Sequence, residues 1–134
     1  MRRLMLAVAS LALLAALPAL SGHGAGQTKL NALMRRKLDN AQKVLAGVAT
    51  NDFKAVRKHG EELIDISKEA EFKVLRTPRY ELLAEDFRRN AEALIKNAKA
   101  ENLDAAALSY VDLTLTCVKC HKHVREERMT RLGR

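Results

Sequence analysis

Tryptophan is absent from this chain, and three phenylalanines and two tyrosines are its only aromatic side chains. With so few large rings, one small domain must fill its interior with aliphatic residues or with something that is not protein. Cysteine is as scarce. Cys117 and Cys120 are the only two, and they lie in one short motif, which excludes a scaffold held by several disulfides. Strand-like alternation and internal repeats are missing. No carboxylate pair, activated nucleophile or substrate motif supports catalysis, so the reading is not an enzyme. The formal charge of +8 comes without a nucleic-acid-binding motif, which makes nucleic acid a poor partner.

Long apolar runs are confined to the start of the chain. Arg2 and Arg3 precede an alanine- and leucine-rich run over residues 4–20, closed by Pro18 and the small-x-small sequence Ala19-Leu20-Ser21. This pattern is expected of a secretory signal peptide, residues 1–21, cleaved before Gly22. The run is at the lower limit for a membrane span, so no integral membrane segment is expected after cleavage. Loss of Arg2 and Arg3 leaves 22 of the 24 basic residues against 16 acids, a formal +6 over the 113 residues 22–134. Export implies a periplasmic location.

The remainder reads as helix throughout. Leu30, Met34, Leu38, Ala41, Leu45 and Val48 step by four and three, giving an apolar stripe on a helix over residues 28–49. After the capping residues Thr50-Asn51-Asp52, Phe53, Val56, Gly60, Leu63, Ser67, Ala70 and Val74 extend a second helix. Thr77-Pro78 suits an N-cap and first helical position. Tyr80, Leu83, Phe87, Ala91, Leu94 and Ala98 follow as a third stripe. A fourth helix, starting at Asn102 or Asp104, carries Ala106, Tyr110, Leu113, Cys117, His121 and Val124 on one face. Four helices of about 20 residues with short connections predict an all-α, antiparallel up-down-up-down four-helix bundle.

Within the fourth helix stands Cys117-Val118-Lys119-Cys120-His121. Offsets of three and four residues put both thiols and the imidazole on one helix face, where they can address a single flat cofactor. The spacing is that of covalent haem c attachment, with Cys117 and Cys120 forming thioethers to the vinyl groups and His121 a proximal iron ligand. One haem per chain is expected, and it would fill part of the interior that the missing aromatics leave. Two other readings of the cysteines are weaker. A redox dithiol belongs at a helix N-terminus after a strand, and structural zinc needs four ligands where this cluster offers three.

With the motif late in a fourth helix, Arg125 four residues after His121, Met34-Arg35-Arg36-Lys37-Leu38 in the first helix and the run from Asn102-Leu103-Asp104 through Tyr110 into the cysteines, the chain resembles the class II c-type cytochromes. These include the cytochrome c′ family, and the likeness is to a small secreted bacterial monohaem branch over about residues 31–125. The resemblance implies a haem-containing four-helix bundle. Low-spin relatives place a ligating methionine in the first helix, which makes Met34 the expected distal ligand and the protein an electron carrier. Only 13 residues follow His121, and Met129 lies in the same helix, so a downstream ligand is excluded. In the alternative, Met34 only packs, Leu30 or Leu33 shields the distal side, and five-coordinate iron binds nitric oxide or carbon monoxide. Relatives often dimerise through their first two helices, so a homodimer is an implied assembly.

Arg125 is one turn beyond His121, near enough to pair with a haem propionate, although a plain surface arginine is the competing reading. His23 is expected in a free N-terminus, and His59 and His123 in solvent. From Lys119 to the C-terminus six basic residues face two acids, a local +4 suited to an acidic redox partner or simply to solvation.

Overall fold

The computed structural model describes residues 22–133, so the expected signal peptide, residues 1–21, lies outside the described residues. Among the described residues there are four α-helices, α1 Gly22–Ala49, α2 Phe53–Lys68, α3 Pro78–Lys99 and α4 Leu103–Leu132, with a short 3-10 helix, Ala70–Phe72, between α2 and α3. No strand occurs among the described residues. No helix among them is long and apolar enough to cross a membrane.

Local chemistry explains the boundaries. Asp52 caps α2 by accepting the Ala55 N–H, Thr77 caps α3 by accepting from Tyr80 ahead of Pro78 at the helix start, and Asn102 caps α4 by accepting from Ala105. The tight turns before α2 and α4 each contain one residue in the left-handed region, Asn51 at φ 57° and Glu101 at φ 51°.

Successive helices pack side by side. Cross-helix contacts run in opposite directions along the chain, Arg36 with Glu69 and Asn40 with His59, then Asn97 with Ser109 and Asn90 with Thr116. The bundle is therefore antiparallel. Its core holds Leu33 and Val44 from α1, Val56, Leu63 and Ile66 from α2, Phe87, Ala91 and Leu94 from α3, and Ala106 and Leu113 from α4. Each fully buried large aliphatic side chain contributes roughly 1.5–3 kcal/mol relative to exposure.

Three expectations need correction. The second helix does not continue to Val74. It stops at Lys68, and residues 69–77 form the 3-10 turn and an extended connection that seats Phe72 and Leu75 in the interior. Ala70, expected on the stripe, is exposed. The first helix begins at Gly22, so the backbone of His23 belongs to α1 rather than to a free end. The core-facing stripe of α1 is Leu33, Lys37, Val44 and Gly47, one step round the helix from the expected one, with Leu38 and Leu45 exposed. A lysine on the buried face disguised that stripe, because burial of a charged amine is ordinarily disfavoured.

Candidate functional site

Of the helix pairs that touch, α1 and α4 meet along the thinnest seam, although they are neighbours that close the bundle. A cleft of about 100 Å³ occupies that seam. Met34, Lys37, Leu38 and Ala41 form its α1 wall. Tyr110, Leu113, Thr114, Cys117 and His121 form its α4 wall, and Leu63 and Phe87 close the floor. The volume is smaller than a typical small-molecule site, and the lining is mostly apolar with a few convergent polar groups. Met34 and His121, 87 positions apart in sequence, thus line one space from facing helices.

Both thiols are free; Cys117 is half-buried on the cleft wall and Cys120 is buried one turn on, packed with Leu75, Tyr80 and Leu83. Burial pushes both thiols above their usual range, opposed in each case by the nearby Lys37 charge. His121 is an exposed residue at the rim of the cleft, yet it is held below the ordinary histidine value, chiefly by partial desolvation and further by the positive charges of Lys37 and Arg125. A neutral imidazole has a ring nitrogen free to bind a metal. Tyr80, whose hydroxyl donates to the Phe72 carbonyl, is pushed up to about 12, mainly by burial.

Lys37 is the cleft residue that sequence reading missed. It is 8% exposed, with Nζ 3.7 Å from the centroid of the Phe87 ring and 4.7 Å from that of Phe72. Such cation–π contacts stabilise a partly desolvated amine by about 0.5–2 kcal/mol. Its pKa is lowered by desolvation, against the attraction of Cys117 and Cys120. The available signal was its spacing, four residues after Leu33 and seven before Val44.

The other sequence-predicted residues fall as follows. Arg125 is exposed, close enough to His121 for its charge to be felt there. Leu33 is turned into the core and Leu30 is half-exposed outside the cleft, so the α1 leucine at the cleft is Leu38. His123 is not in solvent. It is 3% exposed, and its Nε2 lies 3.0 Å from Thr77 Oγ1. His59 is half-buried, with Nδ1 2.8 Å from Asn40 Oδ1. His123 is instead the last rung of a polar ladder between α3 and α4, in which Asn90 donates to Thr116 (2.8 Å) and Asn97 to Ser109 (2.9 Å).

The residues fit a flat, largely apolar cofactor better than a bare metal ion. Among the described residues no three His, Cys, Asp or Glu side chains gather as ligands for one metal ion. One thiol, a neutral imidazole and a thioether line the apolar slot, a donor set suited to a group with several attachment points, whereas Cys120 is turned away from the slot into the cluster with Leu75, Tyr80 and Leu83. No protein-family model matches the chain, and no significant match was found among curated proteins or solved structures.

Proposed function

We propose that this chain is an exported monohaem c-type cytochrome that carries electrons. Cys117 and Cys120 would hold haem c through thioethers, and His121 and Met34 would be its iron ligands. The observation that supports this reading best is the shared cleft, which collects Met34 on one wall and Cys117 and His121 on the other. When bound, the haem supplies a one-electron iron couple.

The chain's own residues have separable tasks. Cys120 and Cys117, one helical turn apart, fix the cofactor's edge to α4. The lowered pKa of His121 keeps a nitrogen lone pair available at neutral pH. Met34 offers a soft sulfur whose coordination favours ferrous iron. Leu63, Phe87 and Leu113 exclude water from the inner part of the cleft. Arg125, exposed beside His121, is placed to pair with a propionate, and the basic surface from Lys119 onward suits an acidic redox partner in the periplasm.

Absorption spectra of the haem-loaded protein, oxidised, reduced and with carbon monoxide, test the assignment in wild type and Met34→Ala. A low-spin wild type that ignores the gas, with a mutant that binds it, is the expected result. A high-spin wild type that binds the gas readily refutes Met34 ligation and favours the five-coordinate, gas-binding alternative.

A further inference from the structure

The outer surface of α4 carries a second pattern, distinct from the residues that line the cleft. Leu108, Val111, Leu115 and Val118 are 68%, 52%, 48% and 58% exposed. Their steps of three, four and three residues align them along one side of the helix. Exposed Asp104 and Lys122 extend this line by four residues at either end. Over the 18 residues from Asp104 to Lys122 the mean step is 3.6, so the stripe runs straight along about 27 Å of helix. Single exposed apolar residues are commonplace, but an aligned row of four capped by opposite charges is not.

The row is also symmetric. Asp104 and Lys122 each lie nine residues from Leu113, Leu108 and Val118 five, and Val111 and Leu115 two. Leu113 itself points into the core. A two-fold axis opposite Leu113, relating α4 to an antiparallel copy of itself, therefore sets Val111 against Leu115 of the partner and Leu108 against Val118 of the partner. It also brings each Asp104 to Lys122 of the other chain. A parallel pairing would oppose Asp104 to Asp104 and Lys122 to Lys122, which like-charge repulsion disfavours.

We propose that this face of α4 is an isologous, antiparallel homodimer interface, sealed at both ends by Asp104–Lys122 pairs. This differs from a dimer through α1 and α2, and it stands independently of haem binding. A single pair of facing helices lies at the small end of specific interfaces, so the dimer dissociates reversibly on dilution.

Sedimentation equilibrium of the full chain over about 5–500 µM, a range that brackets weak protein dimers, tests this. Wild type is expected to show a monomer–dimer equilibrium. Leu115→Glu, which puts two carboxylates at the centre of the apolar row, should raise the dissociation constant at least ~30-fold. Asp104→Lys and Lys122→Asp should each raise it ~3–10-fold, and the double exchange Asp104→Lys/Lys122→Asp should restore it. Circular dichroism verifies that the helices persist, as expected for surface positions. A chain monomeric throughout, a dimer indifferent to Leu115→Glu, or a double exchange no better than the single variants overturns the proposal.

Discussion

At Gly60 α2 comes close to α3, and replacing it by alanine measures that approach. A Cβ there would lie 2.8 Å from Ile95 Cγ1, 3.4 Å from Ile95 Cδ1 and 3.9 Å from Leu94 Cδ2. The first distance is below van der Waals contact, and Cγ1 of a β-branched residue in a helix cannot swing aside cheaply. Overpacking of this kind costs about 1–3 kcal/mol, whereas alanine in place of glycine inside a helix gains about 1 kcal/mol. Gly60→Ala should therefore destabilise by up to ~2 kcal/mol instead of stabilising. Ile95→Ala alone should cost about 2–5 kcal/mol. The double variant should cost less than the sum of the singles by ~1–3 kcal/mol, because the new methyl enters the space that isoleucine leaves. Urea unfolding followed by circular dichroism at 222 nm gives all four free energies. A Gly60→Ala protein more stable by the full propensity gain, with additive double-mutant behaviour, would refute the close α2–α3 approach.

Two other substitutions probe the site and its frame. Thr77 both caps α3 and partners His123, so Thr77→Val should cost about 2–4 kcal/mol, from a lost cap and a buried imidazole left unpaired, while Thr77→Ser keeps most of it; thermal melts compare the pair. For Lys37 the folded-state pKa lies below the unfolded 10.5, so the unfolded chain binds more protons between those values and stability rises with pH across that window. The rise should shrink in Lys37→Met, measured as the wild-type-minus-variant difference in urea unfolding free energy from pH 7 to 10, using protein produced without haem attachment. The difference is required because Cys117 and Cys120, with folded values raised above 9.0, add an opposing loss of stability above pH 9. An identical pH slope in the variant would show that Lys37 does not remain a desolvated amine.

The third helix was fully legible in the sequence: Thr77 and Pro78 mark its start, and all six residues of its expected stripe are buried. An apolar residue on such a face meets only core, so periodicity alone suffices. The first helix was harder because it serves two surfaces. Leu33 and Val44 face the core with Lys37, while Met34, Leu38 and Ala41 face the cleft, and the eye follows the second row because it contains no charge. The break after Lys68 was illegible for a related reason. Ala70 and Val74 preserve helical spacing, but the chain turns so that Phe72 packs against Tyr80 and Phe87, a tertiary gain that spacing does not encode. At the site, the local motif Cys117-Cys120-His121 was plain, and Met34 was reached through a family likeness. Lys37 and the ladder ending in His123 required the third dimension.

The position of the cleft follows from how unequally the four helices are joined. α3 and α4 are tied by Asn90, Asn97 and the Thr77–His123 contact, each of which would leave a polar group unpaired if the helices separated. α1 and α2 close tightly at Gly47, where any Cβ would meet Val56 and the Asp52 carbonyl at 3.0–3.2 Å, and α2 and α3 do so at Gly60. Of the helix pairs that touch, α1 and α4 have the slightest contact, and the amine buried there, Lys37, rests on the faces of Phe72 and Phe87. So thin a seam can part at smaller cost than the other three, and it is also the seam lined by Cys117 and His121. Opening α1 away from α4 would uncover Cys117 beside the already exposed His121 while the α2–α3–α4 frame keeps its registers. Cys120 differs: it packs on Leu75, Tyr80 and Leu83, so a group that reached both cysteines would require the connection before α3 and the start of α3 to yield as well.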